Sequence, residues 1–158
     1  MYLIPFVALF REQAIAETRT IMTRNHAELP DDDYALAEAY CTDPDCDCRR
    51  VMLNILGRRQ GHVATISFGF DRDEEMAGPF LDPLNPQSRL SGVLLKLVTS
   101  VLADPAYVGR LEAHYYQVKG VTAAPTPAVQ RVLAQYGAGE VPPLRRKSHR
   151  KKSKRRKR

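Results

Sequence analysis

The chain has 158 residues, of which 44% are hydrophobic, and a formal net charge of +6. That composition excludes a globally disordered protein and suffices for one domain with a real core, expected over residues 1–137, followed by a disordered basic tail over 138–158. The charge divides unevenly: residues 145–158 carry eleven Lys/Arg and no acid, which leaves thirteen basic and eighteen acidic residues in 1–144, a body of −5.

The first ten residues, Met1 to Phe10, are apolar but short. They lack a basic start and a small-residue cleavage site, so an edge strand or a short helix start is expected there, not a signal peptide. No apolar run reaches the roughly 18–20 residues that cross a bilayer. The expected compartment is the reducing cytosol, where thiols stay free.

Glu17 to Thr23 is rich in β-branched residues and reads as a strand, with a helix over Ala8–Met22 as the competing assignment. Leu29-Pro-Asp-Asp-Asp33 is a turn cluster. Tyr34–Tyr40 leads straight into a cysteine and suits a strand. Arg49–Leu56 follows as another, with Val51, Leu53 and Ile55 on one face. A basic turn over Gly57–Gly61 precedes the clearest strand, His62–Phe70, apolar on both faces as in a central strand.

Asp71–Gln87 is acidic and then proline-rich, a connection. Ser88 or Ser91 can cap a helix to about Leu102. Asp104-Pro105 then gives a cap followed by proline at the first helical position, opening a helix that stops at Gly120. Tyr107, Leu111, His114, Tyr115 and Val118 share its inner face. A short third helix starts at Pro127 or Ala128 and ends near Tyr136. Strands first and helices second predict an α+β fold: a small antiparallel meander with two or three C-terminal helices packed on one face.

All three cysteines lie within eight residues, Cys41-Thr-Asp-Pro-Asp-Cys46-Asp-Cys48. Packing cysteines scatter through a core, whereas these converge between two strands, on a turn stiffened by Pro44. In a reducing compartment such clustering favours a metal, and Zn²⁺ takes thiolate and imidazole ligands in a tetrahedron. Three thiolates around Zn²⁺ leave −1, which Arg49 and Arg50 could balance from just outside the sulfurs. The fourth ligand must come from elsewhere. Antiparallel pairing of 34–41 with 49–56 puts His26 and His62 at the opposite end of the strands, about 25 Å away at 3.3 Å per residue. His149 falls in the tail. His114, on a helix that can pack over the sheet, is the expected ligand, with a satisfied core histidine as its plain alternative. Asp43, Asp45 and Asp47 do not make a calcium loop, because its sixth position is Cys48 and its twelfth Asn54, where glycine and glutamate are needed.

Redox or nucleophilic use of the same thiols is the competing chemistry, since adjacent arginines favour thiolate. No C-x-x-C, P-loop, dinucleotide fingerprint or H-E-x-x-H is present. The segment Tyr40-Cys-Thr-Asp-Pro-Asp-Cys-Asp-Cys-Arg-Arg-Val51, together with His114-Tyr-Tyr-Gln-Val-Lys119, resembles a set of uncharacterised bacterial proteins that carry similar cysteine-rich hairpins. The resemblance spans about residues 15–120 and implies no activity.

The tail offers Arg145, Arg146, Lys147, Arg150, Lys151, Lys152, Lys154, Arg155, Arg156, Lys157 and Arg158 to a polyanion. Nucleic acid, RNA above all, is the expected partner, bound through counterion release. The run has no aromatic residue for base stacking and no apolar anchor for lipid. Folding back onto the acidic body is the intramolecular alternative. The expected whole is a non-enzymatic zinc-binding module with a nucleic-acid-binding arm. A thiol- or zinc-dependent enzyme and a protein-interaction adaptor are the alternatives.

Overall fold

A computed structural model describes residues 3–137; the basic tail lies outside the described residues. The elements run β1 (Leu3–Pro5), α1 (Phe6–Leu9), α2 (Arg11–Glu17), β2 (Thr20–Thr23), β3 (Asp32–Cys41), β4 (Arg50–Gly57), β5 (Gly61–Gly69), β6 (Phe80–Leu81), α3 (Ser91–Val101), α4 (Pro105–Ala123) and α5 (Pro127–Gln135). The fold is α+β, with one antiparallel sheet ordered β1-β3-β4-β5-β6 and β2 also paired to β3.

The meander follows from period-two patterning. On β3, Tyr34, Leu36, Glu38 and Tyr40 point inward; on β4, Val51, Leu53 and Ile55 do; on β5, Ala64, Ile66 and Phe68 do. Helices α3 and α4 cover this face, bringing Leu94 and Val98 from the first and Tyr107, Leu111, His114, Tyr115 and Val118 from the second. Apart from Glu38 and His114, these residues form one continuous apolar cluster. The inner face of α4 is the one its helical spacing predicts. Among the described residues, no single helix is long and apolar enough to cross a membrane.

Three boundaries differ from expectation. The strand expected over Glu17–Thr23 begins only at Thr20, and Glu17 ends α2. Arg11–Glu17 consists of strong helix formers with a single β-branched residue, so its propensity prevails up to the threonines. Helix α4 passes Gly120 to Ala123, and within that added turn Thr122 Oγ1 donates to the Val118 carbonyl at 2.8 Å. A two-residue strand, β6, lies inside the proline-rich connection. The predicted cap of α4 is present: Asp104 Oδ1 accepts from Ala106 N at 3.0 Å, with Pro105 at the first helical position.

At the far end of the meander, Asp32 is buried and closes the β4–β5 turn. Its carboxylate accepts from the backbone N–H groups of Arg59 and Gln60 at 3.0–3.1 Å. Burial works to raise its pKa, but the backbone donors from Asp33, Gln60 and Arg59 outweigh that and hold it below the usual value. Gly57 leaves room for this carboxylate; a Cβ there would stand 2.7 Å from Asp32 Oδ2.

Candidate metal centre

β3 ends at Cys41 and β4 starts at Arg50, so the eight intervening residues form the hairpin tip. Asp43-Pro44-Asp45-Cys46 makes the turn: Cys46 N donates to the Asp43 carbonyl at 3.2 Å, and Asp45 N to Asp43 Oδ1 at 3.0 Å. The three sulfurs come within 4.8 Å of one another, with Cys41 buried and Cys46 and Cys48 half-buried. All three thiols are free. Thiolates sharing a tetrahedral Zn²⁺ at about 2.3 Å would stand about 3.8 Å apart, so small side-chain adjustments suffice to ligate one ion. The cluster can therefore hold a metal ion.

The cation beside the thiols is Lys119. Its Nζ donates to the carbonyls of Asp43 and Cys46 at 2.6 and 2.7 Å and lies 5.7 Å from the Tyr115 ring centre. Burial works to raise the Cys46 thiol pKa. Hydrogen bonds with Cys48 and Cys41 and the charge of Lys119 outweigh it and bring the thiol below its ordinary value. Cys48 is pushed up to about 12, by burial first and then by the neighbouring sulfurs. Sequence reading missed Lys119 in this role. The signal was its place one turn beyond Tyr115 on the predicted inner side of α4.

The arginines that follow the cysteines act elsewhere. Arg49 has a left-handed backbone (φ 38), which turns the chain into β4 and carries its side chain to α4. There it donates to Asp71 at 2.8 Å, to Glu112 at 2.6 Å and to the Tyr116 hydroxyl. These bonds, Asp71 first, raise its pKa. Arg50 donates to Ser67 Oγ at 2.6 Å and to the Met76 carbonyl, and stacks over Phe80. Their side-chain bonds are spent tying the hairpin to α4 and to the β5–β6 connection, and Lys119 supplies the expected charge.

His114 is not brought to the sulfurs. It is 2% exposed, stacks on Phe6 at 4.1 Å, and uses both ring nitrogens on carboxylates. Nδ1 is 2.7 Å from Glu38 Oε2 and Nε2 is 2.6 Å from Glu17 Oε2. A ring between two carboxylates donates from both nitrogens and has no lone pair for a metal. The expectation of His114 as fourth ligand is corrected in favour of the satisfied core histidine. Burial pulls its pKa down, but Glu38 and then Glu17 raise it above the ordinary value. Tyr40 completes the network, donating to Glu38 Oε2 at 2.7 Å. His62 lies opposite Leu56 at the far end of β4, and His26 accepts from the Glu28 and Leu29 amides in a turn, both away from the thiols as predicted.

Compared with known proteins, the chain matches no family model, no curated protein and no solved structure.

Proposed function

We propose that this protein binds one Zn²⁺ through Cys41, Cys46 and Cys48, and that the ion closes the β3–β4 hairpin without taking part in catalysis. The convergence of three sulfurs within 4.8 Å carries this reading. The donor set is all sulfur, which favours zinc and other thiophilic ions over calcium or magnesium. With Lys119 alongside, three thiolates and a divalent ion sum to neutrality, so the ion can sit half-buried without an uncompensated charge. A water or another exogenous donor would complete the tetrahedron.

The second half of the proposal is that residues 145–158 attach the module to nucleic acid, RNA above all. Eleven cations without an acid support a counterion-release interaction with phosphate and offer no means of reading sequence.

Elemental analysis of the full chain tests the metal directly. About one zinc per chain is expected, lost on substitution of any of the three cysteines by serine, with a lower melting temperature in strong chelator. Metal-free protein that melts as the zinc-treated sample does would remove the reading. Rapid alkylation of one thiol in zinc-loaded protein would favour thiol chemistry instead.

A further inference from the structure

A cavity of about 340 Å³ opens at the edge of β3 and shares no lining residue with the thiol cluster. The topology creates it. β1 is in register with β3 only over residues 39–41, and β2 only over 32–35. Helices α1 and α2 bridge the interval. Glu38 turns its carboxylate to the core, where His114 and Tyr40 hold it. Alternation sends its neighbours to the other face of the sheet: Ala37 stands opposite Asn54, and Leu56 lies one pleat along β4. With Phe6 and Val7 of α1 and Tyr136 beyond α5, these residues give the cavity mostly apolar walls. Its size falls in the range of roughly 300–1,000 Å³ typical of ligand sites, well beyond the voids of a packed interior. Three large apolar side chains around it, Val7, Leu56 and Tyr136, stay 40–47% exposed.

The course of the chain says what covers them. Helix α5 ends at Gln135, Tyr136 lines the cavity, and Gly137, with a left-handed backbone (φ 72), turns the chain out of the helix. The sequence continues, outside the described residues, as Ala138-Gly-Glu-Val-Pro-Pro-Leu144. Residues 145–158 contain no apolar side chain, so the basic run itself has nothing to offer an apolar cavity. Val141 follows Gly137 by four residues and Leu144 by seven. At about 3.1–3.6 Å per residue they reach about 12–14 and 22–25 Å from it, ample for a cavity whose wall starts at Tyr136.

The polar group in the walls suits the same segment. Asn54 Oδ1 accepts from Thr65 Oγ1 at 2.9 Å, while Asn54 Nδ2 has no partner among the described residues. A Pro-Pro pair carries carbonyls but no N–H, so it needs donors and brings none. A side-chain amide beside aromatic and aliphatic walls is the kind of surface that takes a proline-rich strand, whose extended form is already set before it binds. We propose that residues 141–144 fold back over this cavity, with Val141 and Leu144 among Phe6, Leu56 and Tyr136 and a carbonyl of Pro142-Pro143 on the Asn54 amide. Helix α5 buries no residue fully, and the returning segment would clamp it against α1. The basic run would then start from a fixed place on the body. The inference rests on neither the zinc nor the nucleic-acid reading.

NMR of the full chain tests it. The methyl groups of Val141 and Leu144 should show nuclear Overhauser contacts to the Tyr136 ring and the Leu56 methyls. A full chain carrying Val141→Asp and Leu144→Asp puts two carboxylates where apolar contact is required. It should shift the Asn54 side-chain amide and Leu56 methyl signals and leave the Val98 and Leu111 methyls of the core in place. Serine at Arg145, Arg146 and Lys147 should move none of these. The proposal is overturned by absence of the contacts, by unchanged Asn54 and Leu56 signals in the double variant, or by equal shifts in the serine variant. Contacts that run only between chains, in a sample mixing isotope-labelled and unlabelled protein, would assign the cavity to a second copy and overturn it as well.

Discussion

His114 sits at the junction of three elements. Carried by α4, it holds Glu38 of β3 on one nitrogen and Glu17 of α2 on the other. Its folded pKa is raised, so its contribution to stability is complete below the unfolded value of about 6.5 and is lost as pH rises through the higher folded value. Glu17 sets the opposite limit. Its pKa is lowered, above all by the hydrogen bond from His114, so its contribution is lost as pH falls through the folded value. The melting temperature should therefore pass through a plateau in mildly acidic solution and decline on the alkaline side, and His114→Gln should flatten that alkaline decline in a melting series across pH. His114→Ala leaves Glu38 buried without its cation and should cost about 3–5 kcal/mol in denaturant unfolding. The inward position of His114 was legible in the sequence, since helical spacing puts it beside Leu111 and Tyr115. Its partners were not, because Glu17 and Glu38 lie 97 and 76 residues away and nothing local to α4 encodes that distance. The arginines show the converse error. Arg49 and Arg50 follow the cysteines in sequence, but the left-handed residue at Arg49 turns the chain and takes its charge to Asp71 and Glu112.

Helix α4 connects the core to the hairpin tip. Its middle buries Leu111, fully enclosed, and Leu111→Ala should destabilise by about 2–5 kcal/mol, measured by urea unfolding. Its C-terminal half carries Lys119, which holds two carbonyls of the cysteine turn. Lys119→Met keeps the stem and removes the donors and the charge. It should weaken zinc binding in a competition titration about tenfold or more while leaving the core's unfolding almost unchanged, and Lys119→Arg should recover part of the affinity. The strands of the meander could be read from the sequence because alternation and turn residues agree there; α4 and α5 could be read because a cap and a proline mark their starts, and α3 from its apolar spacing alone, since Leu90 stands at its N-cap without a side-chain bond where Ser88 or Ser91 was expected. The α2–β2 border was less visible, since Glu17 and Thr18 fit either state. So was β6, whose two residues sit among prolines and form a strand only because β5 offers an edge.

At the scale of the molecule, the sequence divides charge between an acidic body and a basic C-terminal run. If residues 145–158 bind phosphate, a chain ending at Gly137 should lose nucleic-acid affinity while keeping its metal. The intact chain's log affinity should fall linearly with log salt, by about 0.7–0.9 per phosphate contacted. Filter binding of single-stranded RNA at several salt concentrations measures both, and unchanged affinity after truncation would reject the tail as the binding element.

The register of β1 has a practical corollary for handling the protein. Leu3 lies opposite Cys41, and Leu3, Cys41 and Cys48 line one small void of about 10 Å³. The described chain therefore begins next to the thiols. A histidine-rich affinity tag placed there would add metal-binding side chains at the one place where stoichiometry is to be measured. Joined after Gly137, beyond α5, the same tag would instead start beside Tyr136.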